Sequence, residues 1–462
     1  MIRGILLAAT AASLIGHWQG SSILFGNELD LSIDFFGPPG SVRATMSSPA
    51  TGVNGDTLTD LVVRGDSISW VLPVADHPAS FAGVVRGDSI VGMSHQSGLG
   101  VPFRLRRSGA GTAASSDPSA PYAQEEVRIA SGAITLAGTL THPRGPGPYP
   151  AIVLVSGSGP QNRDETLFGF KPFAILADHL SRHGIAVLRC DDRGVGGSTG
   201  KFSGATSLDF ANDLRASIHF LAKRKDIDRR RIGALGHSEG GIIAPMVAAR
   251  SDSVAFVILL AGPGLRGDSV LYDQADRIAR SIGQADTIRK MNHIAQQRIV
   301  AAASTGQGWD EARAACDAVL RLSLGIKPGP AGDSLVADAV MSQLKPMRSP
   351  WMKTFVTHDP VPVLEKVRCP VLALFGAQDL QVAPEVNAPP IERALKRGGN
   401  RDVTVRIFPR ANHLFQPTDN GNPALYDSLP KEFVPGLVDT ISTWVTVRAR
   451  PAAAQASAPA KR

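Results

Sequence analysis

The sequence predicts an α/β protein in which a doubly wound, mostly parallel sheet follows a small all-β domain. Short apolar runs without alternation recur between residues 151 and 413, and segments with helical periodicity separate them. Such runs are typical of strands that are buried on both faces of a parallel sheet. Upstream, residues 28–35 alternate apolar and polar side chains, which is the period of a half-buried strand.

Composition narrows the class of protein. The chain has 462 residues, 43% hydrophobic and 19% charged, which is ample material for a globular core in two or three domains. The formal net charge is +7, but the basic residues are scattered, so no nucleic-acid surface is predicted. No apolar run reaches the roughly 18 residues that a membrane span needs. The three cysteines are too few and too far apart for a disulfide framework or a zinc site.

The N-terminal part is expected to be barrel-like. Residues 16–107 carry strand patterns, and the pentad RGDSI occurs at 64–68 and again at 86–90. We interpret each Gly-Asp as a tight turn between two strands, because glycine supplies the backbone freedom that such a turn requires. Residues 108–124 are small, polar and proline-containing, which predicts a flexible linker to a second domain at residues 125–447.

The two ends of the chain differ in composition from the predicted domains. Residues 1–15 contain one arginine, an apolar stretch and an Ala-x-Ala site, and are either a short secretory signal or the first strand of the β domain. A real signal would make the protein periplasmic or secreted, and without it the protein would be cytoplasmic. Residues 448–462 lack apolar anchors and are predicted to be disordered.

Ser238 is the candidate nucleophile, because Gly236-His237-Ser238-Glu239-Gly240 matches G-x-S-x-G. The strand RIGAL precedes the motif and the helix GGIIAPMVAAR follows it, which is the context that a nucleophile elbow requires. The glycines allow strand and helix to approach closely at a sharp turn. The helix also directs the positive end of its dipole towards developing negative charge.

His413 and Asp379 are the expected partners of this serine. A serine hydroxyl needs a base, and His413 follows the last predicted strand, whereas His237 is expected to pack beside the turn. Asp379 ends another strand and would orient the base, with Glu385 as the alternative acid. The chain order serine, aspartate, histidine is the one found in α/β-hydrolases.

A tetrahedral intermediate needs an oxyanion hole. The backbone N–H of Glu239 is the first predicted donor, because it follows the nucleophile. The N–H of Ser158 is the second, since glycines in the loop SGSGPQNRD allow its backbone to turn inward. The loop lacks the lysine and the spacing of a phosphate-binding P-loop.

Residues 125–447 resemble bacterial α/β-hydrolases of the esterase and serine-aminopeptidase-like branch. The matching stretches are LVSGSGPQNRDE, PFAILADHL, LRCDDRGVGGSTG, IGALGHSEGGIIAP, LLAGPG, LFGAQD and ANHLF. The resemblance implies Ser238, Asp379 and His413 as catalytic residues. Ser156 departs from the pattern, because many relatives have histidine there. Asp192 and Arg193 are interpreted as structural residues that hold neighbouring loops.

Residues 265 to about 366 interrupt the alternation with three helical patterns, and the segment 327–333 is expected to divide this insert. Its position predicts a helical cap that roofs the serine and shapes the substrate pocket.

We expect a serine hydrolase that cleaves a carboxylic ester through an acyl-enzyme, on a small-molecule or peptide-like substrate, without metal or cofactor. The alternatives are a thioesterase, an aminopeptidase-like amide hydrolase and a non-catalytic binding protein; the oligomeric state stays open. An aminopeptidase would need an anionic pocket, for which the cap offers Asp268, Asp273, Asp276, Asp286, Asp310 and Glu311.

Overall fold

The computed structural model describes residues 14–24, 27–38, 41–48, 53–73, 78–96, 99–107 and 120–448. Most of the predicted signal segment, residues 108–119 of the predicted linker and the predicted tail beyond residue 448 lie outside these residues. The described residues form two compact units. One unit contains the N-terminal strands together with residues 324–346, and the other contains the rest. Among the described helices, none combines the length and the apolar character that crossing a bilayer requires.

The first unit is built on a nine-stranded antiparallel sheet in the order β4-β3-β2-β1-β9-β8-β7-β6-β5. The edge strands β4 and β5 are separated in the chain by Leu58 alone, so the sheet curls until its two edges approach each other there. This barrel-like form confirms the predicted all-β domain. The strands are Gly16–Leu24, Asn27–Phe36, Arg43–Ser48, Val53–Thr57, Thr59–Arg64, Ser67–Leu72, Ala79–Arg86, Ser89–Gln96 and Leu99–Arg107.

Alternating residues on these strands give the first unit an aromatic core. Trp70 stacks on Phe81 with ring centroids 5.3 Å apart, and Phe103 meets both rings edge-on. Two hairpins of the sheet turn at the repeated Gly-Asp dipeptides, as predicted. Gly65 and Gly87 have φ values of 62° and 59° there, a region that glycine enters without steric cost.

The second unit contains an eight-stranded sheet in the order β10-β11-β13-β12-β14-β15-β16-β17. Strands β10 and β11 run antiparallel to their neighbours. The other six strands, β12 to β17, are parallel to one another. This topology confirms the predicted doubly wound sheet. The strands are Tyr122–Ser131, Ile134–Pro143, Tyr149–Val155, Ala186–Cys190, Ile227–His237, Val257–Leu260, Val371–Gly376 and Val403–Phe408.

Helices cover this sheet because the parallel strands require crossover connections. They are α1 Pro172–Arg182, α2 Ser207–Ala222, α3 Gly240–Ala248, α4 Gly267–Ser281, α5 Asp286–Thr305, α6 Trp309–Leu324, α7 Pro330–Met347, α8 Pro350–Thr357, α9 Val361–Leu364, α10 Pro384–Arg397 and α11 Leu437–Arg448. Helices α4 to α9 form the insert between β15 and β16. Within it, α5 and α8 pack on α3 through an apolar cluster that includes Met246, Val300 and Phe355.

Helix α7 differs from the rest of the insert, because it belongs to the unit formed by the N-terminal strands. Val336, Val340 and Leu344 are buried and recur every fourth residue, so they lie on one face of the helix. Residues 325–329 separate α6 from α7, and the glycine- and proline-rich segment 327–333 continues into the first turn of α7. The sequence did not predict that one insert helix would join the β unit.

Candidate active site

Ser238 lies in a strained turn between β14 and α3. Its φ is +52°, a left-handed conformation that non-glycine residues rarely adopt. The crowding around it explains the glycines of the motif. A Cβ on Gly236 would lie 1.9 Å from the carbonyl oxygen of Gly240, and a Cβ on Gly240 would lie 2.2 Å from that of Val155. The turn therefore requires both glycines, and it presents the serine at the carboxyl edge of the sheet.

His413 and Asp379 form a buried pair at the same edge. Nδ1 of His413 lies 2.8 Å from Oδ2 of Asp379, and the two residues are 5% and 2% exposed. The other carboxylate oxygen, Oδ1, accepts hydrogen bonds from the backbone N–H groups of Gln381 and Val382 at 2.7 and 2.9 Å. These bonds fix the carboxylate, so the imidazole ring is held in one orientation.

His237 connects this pair to the elbow. Its Nε2 lies 3.0 Å from the backbone carbonyl oxygen of His413, and the two imidazole centroids are 4.9 Å apart. Ser238 is the next residue in the chain. Among the residues that the structure describes, no hydrogen bond engages Nε2 of His413 or Oγ of Ser238. Neither atom is therefore committed to a hydrogen bond within the described parts of the chain.

The loop that follows β12 lies against the elbow. A Cβ on Gly157 would be 3.1 Å from the Cβ of Ser238, so the loop passes directly beside the serine. The backbone N–H of Gly157 is already engaged, since it donates to Oε1 of Glu165 at 2.6 Å. The backbone N–H groups of Ser158 and Glu239 have no such acceptor within the described parts of the chain. These are the two groups that the sequence predicts as oxyanion donors.

The side chain of Glu239 points away from this role and into the protein. It is 2% exposed, and its Oε1 accepts hydrogen bonds from Oγ of Ser207 at 2.6 Å and from Nε1 of Trp351 at 2.7 Å. Burial raises the pKa of this carboxyl, while hydrogen bonds from Ser207, Trp351 and Ser158 oppose the rise. Since Trp351 lies on α8, the insert is tied directly to the residue that follows the candidate nucleophile.

Two further carboxylates lie near the elbow, and sequence reasoning missed the pairing of one of them, Glu165, with His237. Glu165 is 1% exposed and pairs with Nδ1 of His237 at 2.8 Å. Asp192 accepts hydrogen bonds from Oγ of Ser156 at 3.0 Å and from the backbone N–H of Gln161 at 2.9 Å. Burial raises the pKa of Asp192 well above its usual range, and the charges of Glu239 and Glu165 raise it further.

The contacts at residues 156, 192 and 193 agree with a structural role. Ser156 holds the loop through Asp192. Arg193 bridges to Asp213 at 2.8 Å and to Asp209 at 3.4 Å, and so anchors the loop after β13 to α2.

The alternative acid, Glu385, and the six acidic residues of the insert are paired with arginines or exposed. The side chain of Glu385 is 63% exposed and faces Arg277 at 3.5 Å. Four of the insert carboxylates pair with a nearby arginine, and the last two are exposed: Asp268, Asp273, Asp276, Asp286, Asp310 and Glu311. The described contacts therefore build no anionic pocket from these six side chains.

A surface cavity of about 500 Å³ lies at the end of α10, lined by Lys396, Gly399, Asn400, Arg401 and Val403. It contains none of the elbow residues, and we assign no substrate to it. Within the described part of the chain, no group of three or more histidine, cysteine or acidic side chains is arranged to hold a metal ion.

Several known proteins are similar to this chain in sequence or in structure. The curated protein Esterase EstD of Thermotoga maritima is 28% identical over 312 residues, which are 67% of this chain and 65% of the relative. The chain thus spans less than two thirds of that relative's length. Esterase Pf2001 of Pyrococcus furiosus has a TM-score of 0.43 and 14% identity, covering 70% of this chain and 91% of its own. Est1E from Butyrivibrio proteoclasticus has a TM-score of 0.39 and 15% identity, covering 70% and 98%.

A family model provides the assignment. Residues 171–417, more than half of the chain, match the family Hydrolase_4, described as serine aminopeptidase, S33. The matched range contains the elbow, the insert and the His413–Asp379 pair. It also agrees with the doubly wound sheet and with the resemblance to α/β-hydrolases that the motifs indicate. The chain belongs to the serine aminopeptidase S33 family of α/β-hydrolases.

Proposed function

We propose that the protein is a serine hydrolase that cleaves carboxylic esters through an acyl-enzyme. One observation carries the proposal: a buried His413–Asp379 pair contacts His237, the residue that precedes a serine held at φ +52° between a strand and a helix. A strained serine at the edge of a parallel sheet, next to an oriented imidazole, is suited to nucleophilic attack. The similarity to Esterase EstD supports ester bonds as the substrate class.

In the first half of the reaction, Oγ of Ser238 bonds to the ester carbonyl carbon while Nε2 of His413 takes the hydroxyl proton. Asp379 holds the ring through Nδ1 and stabilises the imidazolium that forms. The backbone N–H groups of Ser158 and Glu239 bind the oxyanion. The tetrahedral intermediate then breaks its carbon–oxygen bond, and the alcohol leaves with the proton from His413.

In the second half, water attacks the acyl carbon and gives a proton to His413. The bond to Ser238 breaks, Oγ recovers the proton, and the acid product leaves. Thioester cleavage would use the same residues. Cleavage of an aminoacyl amide is the second candidate, because the family is described as serine aminopeptidase. It would additionally require a site for the free amine.

The first test is Ser238→Ala in the full chain. We expect kcat/KM on p-nitrophenyl esters to fall by about 10⁴- to 10⁶-fold, because the covalent route is lost. A fluorophosphonate probe should label the wild type and fail to label the variant. Ser253→Ala, a change of an exposed serine, is the matched control and should behave as wild type. Wild-type turnover by a folded Ser238→Ala protein would refute the mechanism.

A substrate panel then separates the candidate classes. We expect p-nitrophenyl acetate and related short acyl esters to react fastest, thioesters more slowly, and aminoacyl p-nitroanilides most slowly. If aminoacyl anilides with a free amine react faster than the matching esters, the amide hydrolase replaces the esterase as the proposed function.

A further inference from the structure

A second histidine–carboxylate pair lies directly beneath the elbow. His237 and Glu165 are 5% and 1% exposed, and Nδ1 of the ring lies 2.8 Å from Oε1 of the carboxylate. The other ring nitrogen, Nε2, lies 3.0 Å from the backbone carbonyl oxygen of His413. Both ring nitrogens of His237 therefore face oxygen acceptors.

This arrangement favours a charged ring. A neutral imidazole has one N–H and one lone pair, so it would direct the lone pair at one of the two oxygens. Only the doubly protonated ring donates to both. Burial acts to lower the pKa of His237, but the charge of Glu165 and the hydrogen bonds to Glu165 and to the His413 carbonyl outweigh it, so the pKa lies above its ordinary value. The charge of Asp379 acts in the same direction.

The pair also connects three segments of the site. Oε1 of Glu165 accepts the backbone N–H of Gly157, which precedes the candidate oxyanion donor Ser158. His237 precedes Ser238 in the chain, and its Nε2 donates to the backbone of His413. The oxyanion loop, the elbow and the loop of the base thus meet at one buried ion pair.

We propose that His237 is a positioning residue, held as an imidazolium by Glu165, which fixes the backbone of His413 and of the Gly157–Ser158 turn relative to Ser238. The inference rests on the proposed function, in which His413 is the base and Ser158 an oxyanion donor. Because the pair's hydrogen bonds to the reacting segments all go to backbone groups, its loss should misplace the reacting groups in the transition state. We therefore expect an effect on kcat more than on KM.

The charge state is tested by NMR on the full-length protein labelled with ¹⁵N-histidine. At about pH 7.5, above the ordinary histidine pKa of about 6.5, His237 should show protons on both ring nitrogens. Since its pKa is raised, these signals should disappear only at higher pH. His358 is the internal control, because burial lowers its pKa and it should be neutral in the same spectrum. The signals of each ring are assigned by their loss in His237→Gln and His358→Gln. A neutral His237 at pH 7.5 would overturn the proposal.

The positioning role is tested by kinetics on His237→Gln, Glu165→Gln and the double variant. Each single change should lower kcat by about 10- to 100-fold with little change in KM, since a hydrogen bond to a charged partner is lost. The double variant should lose little more than either single variant, because the two residues act as one unit. His183→Gln, a change of an exposed histidine, should leave kcat unchanged.

These outcomes are distinguishable from a failure of the proposed mechanism. The positioning variants should retain fluorophosphonate labelling of Ser238, at a reduced rate, whereas Ser238→Ala abolishes it. If Ser238→Ala kept its activity, the proposed function would fail, yet the NMR result on His237 would be unaffected. Folded His237→Gln with wild-type kcat would contradict the positioning role even where the serine mechanism holds.

Discussion

His413 and His237 each direct Nδ1 at a buried carboxylate, and each Nδ1–oxygen distance is 2.8 Å. The pairs differ at the second ring nitrogen. Nε2 of His237 reaches a backbone carbonyl oxygen, whereas Nε2 of His413 has no hydrogen-bond partner among the residues the structure describes. A buried carboxylate beside histidine is therefore not enough to identify a base. The ring must also keep one nitrogen available to receive a proton.

The carboxylates differ as well. Asp379 receives two backbone N–H groups on its second oxygen, and these stabilise its charge independently of the ring. Oε2 of Glu165 is buried and lacks a hydrogen-bond partner within the described residues. Glu165 receives one backbone N–H, from Gly157, and otherwise relies on the His237 ring, which fits the proposed imidazolium. Asp379 has two backbone donors of its own, which fits the proposed role of His413 as a base that gains and loses its proton. The backbone around each carboxylate thus favours one role for each histidine.

The largest expected difference is between the losses of kcat when Asp379 and Glu165 are neutralised. Asp379→Asn should lower kcat by about 10⁴-fold, because an amide no longer fixes the tautomer of His413 or stabilises the imidazolium. Glu165→Gln should cost much less, since His413 keeps its own acid. Both variants are measured on p-nitrophenyl acetate, with circular dichroism as the check of folding. A larger loss for Glu165→Gln than for Asp379→Asn would reverse the assignment of the two pairs.

Glu239 is a third buried carboxylate at the elbow, and it sharpens the comparison because it pairs with no histidine. Trp351→Phe removes the indole N–H that Oε1 of Glu239 accepts but keeps a ring to stack on Phe355, whose centroid lies 5.1 Å away. We expect kcat/KM to fall about three- to tenfold, since Ser207 still satisfies the carboxylate. Trp309→Phe, a half-buried tryptophan elsewhere in the insert, is the matched control. Equal effects of the two changes would show that the hydrogen bond to Glu239 is unimportant.

The parts of the site that the sequence predicted lie shortly after strands of the parallel sheet. Ser238 and Asp379 follow fully or largely buried strands, and His413 follows the partly exposed strand Val403–Phe408. Parallel strands bring such positions to one edge of a sheet. Glu165 has no such signal. It lies in a loop, has a φ of +50°, and meets His237 across 72 residues of chain. The role of Glu165 becomes visible only from the structure, where each ring nitrogen of His237 faces an oxygen acceptor. A local sequence pattern does not specify such long-range side-chain geometry.

Local sequence patterns also could not predict two features of the fold, helix α10 and the unit to which helix α7 belongs. Helix α10 contains Pro389 and Pro390 in its interior, residues that disfavour a helix on propensity alone. Burial of Ile391 and Leu395 against the sheet outweighs that preference. Helix α7 has an ordinary amphipathic pattern, but the pattern does not specify which unit its apolar face will join. Tertiary packing decides both cases.

The smallest expected effect concerns the alternative acid that the sequence left open. Glu385 lies in the first turn of α10, and its mostly exposed side chain faces Arg277. A solvent-exposed ion pair contributes little to stability. Glu385→Gln should therefore leave kcat, KM and the melting temperature within experimental error of wild type. Asp379→Asn is the matched comparison, because each change removes one carboxylate charge from a segment that follows β16. Asp379 lies in the loop after this strand, and Glu385 lies in α10. If Glu385→Gln were the damaging change and Asp379→Asn the silent one, His413 would take its acid from α10 on substrate binding, and the contrast drawn between the two histidine pairs would fail.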